Sequence, residues 1–215
     1  MNRWDEYLDD LVARYPVLAP VKEDIRTLFE MLRACYERGG KLLTAGNGGS
    51  CADAEHIVGE LMKGFTKKRA VPAAFAEKLR AVDPVIGEVL AKGLEQGLPA
   101  ITMNSHPGLC TAFLNDVDGT YLYAQQLMVQ AKKDDVFLAI STSGNSRNIV
   151  AACVCARAKG IPVLGLLGKT GGAVLPLCDA AVVVPEMETY KIQELHLPIY
   201  HTLCLMLEEY FFPGD

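Results

Sequence analysis

No run of about 18 consecutive apolar residues, the length that reads as a membrane span, occurs in the 215 residues of the chain. The opening stretch from Met1 to Tyr15 carries charges of both signs, not a basic segment followed by an apolar one. Neither a span nor a signal peptide is therefore expected, and the expected location is the cytoplasm. An excess of positive charge is missing as well: 21 Lys+Arg stand against 26 Asp+Glu, a formal charge of −5. That balance disfavours nucleic acid as a partner, because nonspecific binding to phosphate backbones needs a basic footprint. The seven cysteines contain no C-x-x-C pair and are odd in number, which excludes a zinc ribbon or a disulfide framework. They read as small buried hydrophobes in a reducing compartment.

What is present is apolar material for one large core, 50% of the residues, and a single domain over residues 1–215 is expected. Residues 3–38 read as two helices, from Leu8, Leu11, Val12 and Tyr15 and then Ile25, Leu28, Phe29, Leu32 and Tyr36 at helical spacing. Five short apolar runs follow, at 41–45, 100–103, 135–140, 162–167 and 180–184, separated by helical patterns. Non-alternating runs of this kind predict a doubly wound, five-stranded parallel sheet covered by helices on both faces, an α/β fold. Ligands bind outside the carboxyl ends of such strands, so loops 46–50 and 141–146 are the first candidates for chemistry. Residues 66–99 interrupt the rhythm with Leu79, Val82, Val85, Ile86, Val89, Leu90 and Leu94 around Pro84, which predicts a helical hairpin inserted in the core.

Two nucleotide motifs fail. Gly165-x-x-Gly168-Lys169-Thr170 ends like a phosphate-binding P-loop, but Val163 stands where the first glycine belongs. Gly46-x-Gly48 opens like a dinucleotide fingerprint, but Cys51 takes the third glycine's place. No nucleotide cofactor is expected. The stretch Ser141-Thr142-Ser143-Gly144-Asn145-Ser146 is different. Hydroxyls, free backbone N–H groups and the positive end of a helix dipole can hold a phosphate monoester without Lys or Arg. A helix cap alone would need one such residue, and four hydroxyls in six positions exceed that need.

Taken together, Gly46-Asn47-Gly48-Gly49-Ser50, Asp53-Ala54-Glu55-His56, the Ser141–Ser146 loop, Gly168-Lys169-x-Gly171-Gly172 and Ile192-Gln193-Glu194-Leu195-His196 with His201 resemble the SIS (sugar isomerase) domain. Within it the pattern is most similar to the bacterial phosphoheptose (sedoheptulose 7-phosphate) isomerase family. The ordered set spans about residues 20–210. The resemblance implies substrate contacts from Asn47, Gly48, Gly49 and Ser50, from Asn115 and Asp116, and from Glu60 and Gln193. It implies a phosphate held by Ser141, Thr142, Ser143 and Ser146, and a Zn²⁺ held by His56, Glu60, Gln193 and His201. Glu60 and His201 are the implied catalytic acid/base pair for an aldose–ketose isomerisation through an enediol, and a homotetramer with a small sugar phosphate as its ligand is the implied assembly. Residue spacing supports the metal set independently. His56 and Glu60 are i and i+4 on one helical face, while Gln193 and His201, eight apart, fall about 80° from one another around a helix.

Three features depart from the family pattern. The segment 66–99 is longer, Tyr190 occupies the acidic position three residues before Gln193, and Cys51 follows Ser50. Pro198 should also kink the last helix between Gln193 and His201. The apolar N-terminal helices are the expected oligomer surface. The alternatives left open are an isomerase for another sugar phosphate, or a noncatalytic SIS protein that senses a phosphosugar or associates with a replication initiator. His106 and His196 carry no functional expectation.

Overall fold

The computed structural model describes residues 3–214. Helices α1 (Asp5–Arg14) and α2 (Lys22–Glu37), joined by a 3₁₀ turn at Pro16–Val21, precede β1 (Leu42–Ala45) and α3 (Gly49–Met62). The insertion forms α4 (Ala73–Val82) and α5 (Pro84–Gly93). It is followed by β2 (Ala100–Thr102), α6 (Pro107–Asp116), α7 (Leu122–Gln130), β3 (Val136–Ser141) and α8 (Arg147–Ala158). The chain ends with β4 (Val163–Leu167), β5 (Ala180–Val183) and α9 (Thr189–Phe211). All four strand pairings are parallel and the strand order is β2-β1-β3-β4-β5, so the expected fold class holds.

Alternation along the pleat divides the interior in two. Leu42, Val136, Leu138, Ile140, Leu164, Leu166 and Val182 face a core completed by α1, α2, α3 and α9. Leu43, Ala45, Phe137, Ala139, Val163 and Leu167 face a second core completed by α7 and α8. The N-terminal helices are amphipathic as expected, but their apolar stripe is consumed within the chain. Leu8, Leu11, Leu18, Ile25, Leu28 and Phe29 are fully buried against the sheet and α9. Exposed apolar surface lies instead on the insertion, where Val82, Val85, Ile86 and Val89 are all more than half exposed.

The insertion is anchored at its root. The Glu208 carboxylate accepts from Phe65 N at 2.8 Å, Thr66 N at 2.9 Å, Thr66 Oγ1 at 2.6 Å and Arg69 Nε at 2.9 Å. Burial alone would raise its pKa, but these donors hold it below the usual carboxylate value. At the tip, Asp83 caps α5 through Val85 N and Ile86 N. Gly87 lets the two helices close: a Cβ there would lie 2.2 Å from the Leu79 carbonyl oxygen. Helix α9 runs unbroken through Pro198. All seven cysteines are free, but only Cys35, Cys153 and Cys204 are fully buried; Cys51, Cys110, Cys155 and Cys178 are half-buried. Among the described residues no helix is long and apolar enough to cross a membrane.

Candidate active site

In a sheet ordered 2-1-3-4-5, the crossovers leaving β1 and β3 go to opposite faces and open a crevice between those strands. The loops that rim it are 46–48, after β1, and 142–146, after β3. Sequence reasoning selected both loops, and the strand order explains why they meet.

The β1 loop turns into α3 at Gly48, whose φ of 56° and ψ of −121° suit glycine alone. Asn47, Gly48 and Gly49 are exposed at the crevice, whereas Ser50 is buried, behind the loop instead of in it. The Asn47 carboxamide is fixed by a reciprocal pair with Asn148, 2.9 Å in each direction. The Tyr123 hydroxyl donates to the Gly46 carbonyl at 2.9 Å and lies 3.2 Å from Asn47 Oδ1. Asn104 Nδ2 in turn donates to Tyr123 Oη at 2.7 Å and to the Gly46 carbonyl at 3.0 Å. Asn47, Tyr123, Arg147 and Asn148 line a cleft of about 460 Å³ that continues past Leu114 and Thr120. Asn148, Tyr123 and Asn104 carry no motif of their own, and only the fold brings them together.

In the β3 loop, Ser141 Oγ accepts from Gly144 N at 3.1 Å and Ser143 Oγ from Asn145 N at 3.2 Å. Because these oxygens accept from the backbone, their own protons remain available to donate. Ser146 stands at the N-cap of α8 but makes no side-chain cap bond; its Oγ touches Ser141 Oγ at 3.5 Å. Capping therefore does not account for Ser146, whose hydroxyl stands beside that of the buried Ser141 at the start of α8. Loop 168–172 buttresses them. Asn145 Oδ1 accepts from Ala173 N at 3.0 Å and the Gly144 carbonyl from Val174 N at 2.9 Å.

Helices α3 and α9 run side by side in the same direction, which sorts the remaining residues into two places. Gln193 packs on the glycine loop, so close that a Cβ on Gly49 would lie 2.5 Å from its Nε2. Two turns further along, His201 meets His56 with ring centroids 4.9 Å apart. There His56 Nε2 lies 3.2 Å from Glu60 Oε1, and Glu60 Oε2 accepts from Lys63 Nζ at 2.9 Å. The structure thus unites His56, Glu60 and His201 but leaves Gln193 at the crevice; eight residues of helix span about 12 Å along the axis. Burial, followed by the nearby His56, holds the His201 imidazole below its ordinary pKa of 6.5.

Among the described residues no group of three or more His, Cys, Asp or Glu side chains is already gathered as a metal centre. The donor types of His56, Glu60 and His201 nevertheless suit a divalent cation, and His201 Nε2 is buried with no hydrogen-bond partner. Asn115 and Asp116 end α6. They are exposed and bond to each other at 2.7 Å, near the cleft only through the adjoining Leu114. His196 is a core residue with Nε2 3.2 Å from the Leu167 carbonyl.

Fold and crevice together define a doubly wound α/β protein able to hold an anionic group at its switch point. Comparison with known proteins narrows the class. The family model described as the SIS domain matches residues 90–168. The chain is 38% identical over 177 residues to a phosphoheptose isomerase of Aneurinibacillus thermoaerophilus, covering 82% of this chain and 76% of that one. It is 38% identical over 211 residues to phosphoheptose isomerase 2 of Campylobacter jejuni, covering 96% and 90%. The solved structure of a phosphoheptose isomerase from Francisella tularensis superposes with a TM-score of 0.75 at 27% identity, covering 95% and 96%. The chain belongs to the phosphoheptose isomerase family.

Proposed function

We propose that the protein is an aldose–ketose isomerase that interconverts sedoheptulose 7-phosphate and glycero-manno-heptose 7-phosphate. The observation that carries this reading is the pairing of an uncapped, hydroxyl-lined helix N-terminus at the switch point with a separate acid/base group of Glu60 and His201. Ser141, Thr142, Ser143 and Ser146 hold the phosphate; Asn47, steadied by Asn148 and Tyr123, and Gln193 contact the sugar. Moving a proton between C1 and C2 requires one group to take it and another to serve the oxygens. Glu60 is the carboxylate base, and His201, neutral at pH 7, exchanges protons with the oxygens.

His56, Glu60 and His201 are the residues that would hold Zn²⁺. When bound there, the ion would polarise the carbonyl and stabilise negative charge on its oxygen.

The length of α3 supports dividing the two groups between different copies of the chain. Glu60 lies eleven residues beyond Gly49 in α3, about 16 Å of helix. An extended seven-carbon phosphate reaches only roughly 10 Å from phosphorus to C1, given bonds of about 1.5 Å. One copy's phosphate loop is served by another copy's Glu60 and His201, in keeping with a homotetramer in the cytoplasm. Three measurements test the proposal. Sedoheptulose 7-phosphate should turn over in preference to hexose and pentose phosphates, and Glu60→Gln should abolish turnover while the substrate still binds. Mixing Glu60→Gln with Ser143→Ala subunits should restore activity. Retained activity in Glu60→Gln overturns the assignment of the base, and no recovery on mixing overturns the shared site.

A further inference from the structure

Helix α3 carries a third polar residue on the stripe of His56 and Glu60. Asp53 precedes His56 by three residues and Glu60 by seven, spacings that share a helical face. Facing them, α9 presents Tyr200, 2% exposed, beside His201. The Tyr200 hydroxyl lies 3.3 Å from Asp53 Oδ1, to which it donates, and 3.0 Å from His56 Nδ1. None of this is used by the reading above.

From this chain of contacts we infer that Tyr200, backed by Asp53, is a positioning residue that fixes the His56 ring and presents its Nε2 lone pair to a divalent cation shared with Glu60. The inference rests on the zinc component of the proposed function. A phenol has one proton. When Asp53, as a carboxylate able only to accept, takes that proton, the phenol oxygen can only accept from His56 Nδ1–H. A neutral imidazole carries one N–H, so Nε2 is left with a lone pair 3.2 Å from Glu60 Oε1. Two acceptors at that distance repel unless a cation joins them, and the His201 ring, whose Nε2 is buried without a partner, packs against the His56 ring with centroids 4.9 Å apart.

The opposite polarity removes the site. A Tyr200 hydroxyl turned onto His56 Nδ1 would put the imidazole proton on Nε2, where it would donate to Glu60 and block the cation. Asp53 selects between the two. Its Oδ2 is buried without a partner, and its Oδ1 is engaged by Tyr200. This is the role that carboxylates and other outer groups serve behind metal-binding histidines, where their removal weakens the metal about 10- to 100-fold.

The test uses the full chain and Zn²⁺ itself, with affinity read by competition against a chromophoric chelator. Tyr200→Phe removes the hydroxyl and keeps the ring. Asp53→Leu fills the space with no acceptor, which leaves the hydroxyl proton free to turn onto His56. Both variants should bind zinc about tenfold or more weakly than wild type while unfolding at nearly the wild-type temperature. In zinc-loaded wild type, ¹⁵N spectra should show His56 protonated at Nδ1 and bound at Nε2. Wild-type affinity in both variants, or coordination of His56 through Nδ1, overturns the positioning role while leaving the zinc site standing. A folded wild type that takes up no zinc overturns the metal reading and this role with it.

Discussion

Replacing Gly144 by alanine should break the phosphate loop from within. Gly144 sits at φ 64°, a left-handed conformation that costs an L-residue about 1–2 kcal/mol. Space is the larger obstacle. The added Cβ would stand 1.8 Å from the Gly171 carbonyl oxygen and 2.3 Å from its carbon, backbone atoms that cannot rotate away. Restoring even 3.0 Å moves loops 141–146 and 168–172 apart by about 1.2 Å, from the difference between that limit and the 1.8 Å approach. The bond from Val174 N to the Gly144 carbonyl, 2.9 Å, is then lost at about 1 kcal/mol. Gly160 is the matched control: its φ is 71°, but a methyl added there would meet nothing within 4 Å. Urea unfolding should therefore give a loss of about 1–2 kcal/mol for Gly160→Ala and about 2–3 kcal/mol for Gly144→Ala. In the fraction that remains folded, Gly144→Ala should raise KM for the sugar phosphate tenfold or more, since displacement of about 1 Å can cost two orders of magnitude. Equal destabilisation by the two substitutions, with an unchanged KM in Gly144→Ala, would refute the account of the loop.

Stability should also depend on pH through His196. Burial pushes its imidazole down to about 4 from 6.5, against the opposing pull of the Leu167 carbonyl. The unfolded chain binds the proton more readily, so this contribution is whole above pH 6.5 and is lost as the pH falls toward 4, about 3 kcal/mol in all. Between pH 7 and pH 5 wild type should lose about 2 kcal/mol more than His196→Leu; parallel profiles would count against it. Arg69→Met should cost about 3 kcal/mol or more, because it strips the buried Glu208 of its counter-ion. Adding Glu208→Gln should recover part of that loss, and an effect below about 1 kcal/mol would show that Phe65 N and Thr66 suffice.

The strands were legible because their apolar runs do not alternate, and the crevice loops because glycines and hydroxyls stood at strand ends. The strand order was not: nothing in the runs at 41–45 and 135–140 says that β1 and β3 are neighbours. That pairing brings Asn47 to Asn148 and explains why Tyr123 and Asn104, which carry no motif of their own, steady the site. The four implied ligands do not gather within one chain for a related reason. Angular spacing placed Gln193 and His201 on one side of a helix, but axial rise separates them, and α3, running alongside, keeps each with a different partner. Asp53 was visible beside His56 in the sequence; its role required Tyr200, which neighbours it only in space. The N-terminal stripe packs within its own chain, which its apolar spacing could not reveal, because a helix face does not say whether it packs against its own chain or another.

An acidic chain can hold a phosphate because long-range charge and local charge act at different distances. The formal charge of −5 spreads over a surface on which charges more than about 10 Å apart are screened at ordinary ionic strength. Loops 46–50 and 141–146 contain no acidic residue at all. What a phosphate meets there is the start of α8, equivalent to about half a positive charge, the available hydroxyls, and Arg147 at the first helical position. Many of the acidic side chains are engaged elsewhere, as Asp135 is with Lys41, Glu208 with Arg69 and Glu209 with Lys67. The same balance that disfavours a long polyanion, which must be neutralised along its length, is therefore compatible with the single phosphate group of the proposed substrate.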